Sequence, residues 1–404
     1  MPTVGLTNRA KLVDAQRGLL RLHDAEVRAL ARVVLDEPAA EVDSWSVEPV
    51  DYAFGSPTTG GLFRIRGSAG SGAVPWSAFV KLVHSYRHWP LLEVLPAELR
   101  MRALSSSAWR YEADVYRGRV AEALPDGLRL PRVYRVHELG DDRIAVILED
   151  VASAATGWDS ARFGRAARLL GRLAVRLTRS DALPSSALRS PGEVTGLHYT
   201  GRLLVAALPA LQDDATWRHP LLAHAADPKL RADVLELARR VPTVLTALAR
   251  LPQLMVHGDA SPQNLLVPAN DPDSFVAIDW TLGGLAAVGD DLGQLLVGLA
   301  HADQLPTAEL PGLREVLVPA YTAGLAVEGM LVDQAAVGYG LDGGLVVRSA
   351  FTALPLERPA EPITEELAEL FSTRARLTRY LVDLGLALPV SPAPGTDART
   401  NGNP

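Results

Sequence analysis

Three oxygen-bearing side chains follow one another in a short stretch: Asp259 and Asn264 in LMVHGDASPQNLLV (254–267) and Asp279 in FVAIDW (275–280). An apolar, strand-like segment runs into His257-Gly258-Asp259, a short loop follows, and Asn264 opens a second apolar run. Asp279 then stands where another apolar strand ends, fifteen residues after Asn264. This set suits phosphoryl transfer, which asks little covalent chemistry of the protein but needs positioning and charge neutralisation. One carboxylate, Asp259, can orient an acceptor hydroxyl and take its proton. A second carboxylate, Asp279, and the amide oxygen of Asn264 can hold Mg²⁺, which prefers hard oxygen ligands in octahedral geometry. HGD by itself also reads as a turn, and IDW as a buried strand end. The inference is carried by the ordered set.

Lys81 points the same way. The chain has only three lysines, and this one sits inside Ala78-Phe79-Val80-Lys81-Leu82-Val83, where an unpaired charge is costly to bury. Strand alternation also allows it a solvent-facing position. In the V-A-I-K strand of kinases a lysine reaches the nucleotide phosphates and pairs with a helix glutamate. Glu112, beside the apolar face of the next helix, is the natural partner. The loop Gly55-Ser56-Pro57-Thr58-Thr59-Gly60-Gly61 joins two strand candidates. Its hydroxyls and N–H groups could approach phosphates at Ser56, Thr58, Gly60 and Gly61, although it departs from GxGxxG and an ordinary hairpin turn fits as well.

Other clusters carry less. Glu357, Glu361, Glu365, Glu366 and Glu369 could hold a polyamine, or form a solvated face and a helix N-terminal turn. Arg374, Arg376 and Arg379 could serve an anionic acceptor or face water. His84 and His88 stand four apart without a third metal ligand.

The elements that must position these residues follow from pattern. With 404 residues, 48% apolar and 22% charged, the chain can build sizeable cores and divide into two lobes. The net charge of -7 gives no electrostatic footprint for nucleic acid. The absence of cysteine removes disulfides, thiol nucleophiles and cysteine-based metal sites. No signal-like segment or membrane-spanning apolar run is evident, so a cytoplasmic protein with no membrane partner is expected. Strand candidates cover WSVEPVDYAF, LFRIR, WSAFVKLVHS, LPRVYRVHEL and RIAVILEDV, and a helical period covers 105–124. After Asp150 the pattern is almost wholly helical, with long helices predicted over 160–179 (capped by Ser160), 228–249 and 364–384. The expected organisation is an N-terminal helical extension over 1–40, a β-rich nucleotide-binding lobe over 41–150, a helical lobe with catalytic loop and acceptor site over 151–388, and a disordered tail over 389–404.

Taken together, HGDxxxxN, the apolar-IDW segment and Lys81 resemble the aminoglycoside phosphotransferase/choline kinase family, across roughly residues 45–300. The resemblance implies an α+β, bilobal protein-kinase-like fold and an ATP- and Mg²⁺-dependent transfer, with GTP as the lesser option. It implies Asp259 as catalytic aspartate, Asn264 and Asp279 as Mg²⁺ ligands, and Lys81 with Glu112 as the phosphate-binding pair. LEDV (148–151) resembles the hinge, where main-chain groups at Glu149 and Val151 would meet the adenine edge. Asp291, in GDDL, resembles a structural cap, and His257 a loop organiser. The acceptor is expected to be a hydroxyl of a small polar metabolite or antibiotic. Alternatives are a Ser or Thr of a precursor peptide, or a catalytically inactive nucleotide-binding module. Sequence fixes neither the acceptor nor the oligomeric state.

Overall fold

The alternation between Val42 and Glu149 resolves into a five-stranded sheet in the computed structural model, which describes residues 18, 20, 22–51, 56–154, 157–356, 358, 361–389 and 399–400. Strands β1 (Val42–Pro49), β2 (Thr59–Ala69), β3 (Val74–His84), β4 (Val133–Gly140) and β5 (Arg143–Glu149) form one antiparallel sheet in the order β1-β2-β3-β5-β4. Successive side chains of a strand point to opposite faces. On β5, Ala145 and Ile147 therefore join one core, and Ile144, Val146 and Leu148 the other.

On β3 the parity decides the fate of Lys81. Ala78, Val80 and Leu82 pack into the first core, under helix α1 (Asp24–Leu35), whose Val27 and Ala31 are fully buried there. Lys81 has the parity of Val83, which belongs to the second core with Tyr111, Ala113 and Val115 of helix α2 (Tyr111–Arg117). The solvent-facing alternative for Lys81 is thereby closed, since it is 6% exposed. Helix α1, expected within a separate extension, lies directly on the sheet; residues 1–17 are outside the described part. Helix α2 is shorter than the 105–124 period suggested. The chain turns extended at Gly118, and short 3₁₀ turns at Ala108–Arg110 and Val120–Ala123 supply the remaining apolar spacing.

The second lobe is built on helices α3 (Ser160–Arg179), α4 (Leu230–Leu248), α5 (Asp291–His301), α6 (Leu310–Val327), α7 (Gln334–Ser349) and α8 (Glu365–Ala387). Asp159, not Ser160, caps α3, its carboxylate accepting from the Arg162 N–H at 2.8 Å. A π-helical stretch, His198–Ala207, packs against α7. Three short strands carry the chemistry-bearing loops: β6 (Gln253–Val256), β7 (Phe275–Ala277) and β8 (Gly284–Ala287), with β6 and β8 paired antiparallel. Of the tail expected to be disordered, residues 390–398 and 401–404 are outside the described part, whereas Arg399–Thr400 pair with Met330–Leu331.

Helices α3 and α6 cross closely because both present glycine at the contact. A Cβ at Gly324 would lie 2.1 Å from the Arg168 carbonyl oxygen, and one at Gly171 would lie 2.3 Å from that of Tyr321. Gly312, also on α6, has open space instead. Urea unfolding should therefore separate the two: Gly324→Ala is expected to cost ~1–3 kcal/mol through overpacking. Gly312→Ala is expected to gain about 0.5 kcal/mol from helix propensity. Equal effects would mean that the crossing is looser than described.

Candidate active site

The loop after β6 is held from two directions. Asp291, in the first turn of α5, accepts the His257 N–H on Oδ2 (3.1 Å) and the Gly258 N–H on Oδ1 (2.8 Å). Burial raises the Asp291 pKa to about 7, opposed by those two amides. Gly258 adopts φ +81°, and a Cβ there would sit 2.0 Å from the Leu282 carbonyl oxygen, so glycine is required on both counts.

His257 is fully buried and uses both ring nitrogens. Nδ1 accepts the Asp259 N–H (3.2 Å) and Nε2 donates to the Ile278 carbonyl (3.0 Å), a pattern that fixes the neutral Nε2–H tautomer. Burial depresses its pKa to about 4. His257 thus fastens the Asp259 loop to the residue before Asp279, and has no nitrogen left to act as a base. Asn264 adds two ties: its Nδ2 donates to the Asp259 carbonyl (2.9 Å), and its own carbonyl accepts the Ile278 N–H (3.0 Å). Asp259, Asn264 and Asp279 are brought together by this network.

Asp279 follows β7 with φ +58°, a left-handed conformation uncommon for a residue with a Cβ. Its Oδ1 lies 2.9 Å from Lys81 Nζ, which also meets Glu112 Oε2 at 2.6 Å. The Thr281 hydroxyl stands 2.8 Å from Asp279 Oδ1 and 2.9 Å from Glu112 Oε2, and donates to one of them at a time. Burial alone would lower the Lys81 pKa, but Asp279 and Glu112 override it and hold the ammonium charged.

Sequence reasoning did not single out the partner of Asp259. Arg348, on α7 and 8% exposed, reaches Asp259 Oδ1 with Nη2 at 2.6 Å and the Gly258 carbonyl with Nη1. Its only local signal is a lone arginine inside the apolar run LVVRSAF. Arg348 thus holds Asp259 through Oδ1 and leaves Oδ2 outside the ion pair.

The remaining expected residues fare unevenly. Gly60 and Gly61 belong to β2 rather than to a loop, because Gly61 pairs with Leu82 of β3. A Cβ at Gly60 would strike His84 at 2.6 Å, which explains this glycine by packing. The Ser56 and Thr58 hydroxyls bond each other at 3.1 Å, and Gly55 is outside the described residues. The Glu149 N–H donates to the Arg132 carbonyl (2.8 Å), so it is not free for a base edge. The Glu149 carboxylate is gripped by Arg129 at 2.7 and 2.9 Å. Val151 is half-buried in the linker that follows.

The donor set fits Mg²⁺. Because Asn264 Nδ2 is committed to Asp259, its Oδ1 is the free end, and Asp279 adds a carboxylate. An ion held by these two oxygens would complete its shell with phosphates and water.

Fastening by a neutral histidine has a thermodynamic signature. His257 titrates at about 4 when folded against 6.5 for the free side chain, so the unfolded chain binds more protons between those values. Stability from this group is present above pH 6.5 and is lost as pH falls towards 4, on the order of 3 kcal/mol. Unfolding free energies measured from pH 7 to 4 should fall less steeply in His257→Gln than in the native protein; parallel curves would show that the imidazole is not held neutral.

A family model described as the phosphotransferase enzyme family matches residues 110–331, more than half of the chain. No curated protein matches it by sequence. Among solved structures, a microcompartment-associated aminopropanol kinase is 15% identical with TM-score 0.49, covering 89% of this chain and 99% of that one. A choline kinase from Cryptosporidium parvum Iowa II is 12% identical with TM-score 0.49, covering 90% and 94%. An aminoglycoside 2'-phosphotransferase solved with GDP is 14% identical with TM-score 0.45, covering 91% and 99%. The matched segment holds Glu112, Asp259, Asn264 and Asp279 within one α+β, bilobal architecture. The chain belongs to the phosphotransferase enzyme family.

Proposed function

We propose that this protein transfers the γ-phosphoryl group of ATP to a hydroxyl of a small polar molecule, with Mg²⁺. The observation that carries the reading is the Lys81–Glu112–Asp279 cluster beside the Asp259 loop, with Lys81 and Glu112 buried, assembled from residues up to 198 positions apart. In this reading Glu112 fixes Lys81, which binds the nucleotide phosphates. Thr281 steadies the two carboxylates. Asn264 and Asp279 would hold Mg²⁺, which neutralises phosphate charge when bound. Asp259, oriented by Arg348 and by its loop bonds, accepts the hydroxyl proton as the oxygen attacks phosphorus. Transfer through a loose transition state needs position and charge more than a strong base, and a carboxylate held in an ion pair meets that need. The acceptor in this reading is small rather than a peptide strand, and α7 reaches the Asp259 carboxylate through Arg348. ATP is favoured over GTP, and the linker at Val151 is the candidate contact for the base.

Two substitutions test the roles with γ-labelled ATP and nucleotide titration. Asp259→Asn should lower transfer by about 10³-fold while nucleotide affinity stays within a few-fold. Asp279→Ala should weaken Mg²⁺-dependent nucleotide binding as well. Near-native turnover in Asp259→Asn would discard the mechanism. Glu112→Gln should lower turnover by roughly 10-fold or more by loosening Lys81; an unchanged rate would mean that the pair does not position the lysine.

A further inference from the structure

Helix α2 carries Glu112, yet the chain on either side does little to place it. Between β3 and α2 runs a helix at Ala97–Ser105 that buries no side chain. After only seven residues of α2 the backbone turns extended at Gly118. The position of Glu112 is therefore set by tertiary contacts. We propose that the hydrogen bond between Ser186 and Asp114 is a latch that holds α2, so that both are positioning residues for Glu112 and, through it, for Lys81. The assignment rests on the reading above, in which Lys81 binds the nucleotide phosphates.

Three side chains of α2 meet the second lobe. The Tyr111 ring lies against Gly283, where a Cβ would stand 2.4 Å from Cε1. Glu112 Oε2 is 2.9 Å from the Thr281 hydroxyl. Asp114 Oδ2 accepts the Ser186 hydroxyl at 2.7 Å. Tyr111 and Asp114 are three residues apart and so share a face of the helix. Ser186 is 6% exposed, and Asp114 Oδ1 is left to Arg117 at 3.4 Å. A hydrogen bond to an ionised acceptor, shielded on the donor side, is among the stronger single ties a short helix can have.

The two polar ties differ in what they depend on. The Thr281 hydroxyl has one proton for two carboxylates, Glu112 and Asp279. When it donates to Asp279, the proposed metal ligand, Glu112 loses it. Ser186 holds Asp114 whichever way Thr281 turns. The serine end is itself anchored beside the site. The Leu188 carbonyl accepts the Leu285 N–H at 2.8 Å, and Leu188 bridges Gly284, the first residue of β8. Leu183 and Ala187, flanking Ser186, are buried in the second core. The latch thus joins α2 to the strand that follows Asp279, outside the groups that would meet metal or phosphate.

The charged clusters singled out in the sequence supply no comparable tie between the lobes. Glu361 pairs with Arg358 and Glu369 with Arg376, while Glu365 and Glu366 occupy the first turn of α8; Glu357 is outside the described residues. Arg379 is committed to Asp233 and Asp383.

The first test needs no transfer. The chain has three lysines, of which Lys229 is exposed, so acetylation by acetic anhydride read by mass spectrometry reports Lys81 against an internal standard. Ser186→Ala should raise Lys81 labelling relative to Lys229 by roughly 10-fold, for one lost bond to a charged acceptor. Asp114→Asn, which keeps an acceptor oxygen, should stay near native. Gly324→Ala, destabilised at a helix crossing elsewhere, should leave Lys81 protected. Equal Lys81 labelling in the native protein and Ser186→Ala, or the same rise in Gly324→Ala, would overturn the latch. The second test follows γ-labelled ATP with water as acceptor. Ser186→Ala should lower kcat about 10-fold with a smaller change in KM for ATP. In a Glu112→Gln background it should add nothing, because residues acting through one group are not additive. The same fold-loss in both backgrounds would show that Ser186 does not act through Glu112, which also overturns the proposal. Lys81 labelling that depends on Ser186, with no Asp259-dependent turnover of ATP, would keep the latch and remove the phosphotransferase reading.

Discussion

Everything in the cleft depends on one buried cation between two carboxylates. Lys81 enters from the sheet, Glu112 from the helix beneath it, and Asp279 from the helical lobe, so a single ammonium group joins three separately folded segments. Breaking such a pair by deleting one partner costs roughly 3–5 kcal/mol, because a charge is left buried without compensation. The same contacts set the relative position of the lobes and the position of the ammonium proposed to bind phosphate. Stability and the geometry of the candidate site are therefore coupled at this point.

The Asp259 loop depends on a second, independent set of bonds. Asp291 gathers two amides, His257 bridges to Ile278, and Asn264 ties the far end back to the Asp259 carbonyl. Because these bonds end on the residue before Asp279, the loop and the strained backbone at Asp279 form one rigid body. Among the described residues, Arg348 supplies the one ion pair to the Asp259 carboxylate, and it comes from outside that body.

Much of this was legible in the sequence, and the limits are physical. Short-range spacing exposes Asp259, Asn264 and Asp279 because they sit on one loop and the following strand. Lys81 stands out because a charge within an apolar run needs a reason, and parity with Val83 turns it inward. Arg348 was not legible: it meets Asp259 only because α7 folds back onto the loop after β6, and no local pattern encodes a contact 89 residues away. Gly60 illustrates a related limit. A glycine demanded by a neighbouring histidine looks, in one dimension, the same as one demanded by a ligand. The N-cap moved from Ser160 to Asp159 because either oxygen can serve, and the backbone chose the one with reach.

The Lys81 cluster also has a consequence in charge. One ammonium stands between two carboxylates, so the three groups together carry an excess of one negative charge. Such an excess repels an approaching anion and attracts a cation. In the proposed reaction the metal ion would therefore have to arrive with the phosphates, because the cluster alone would turn them away.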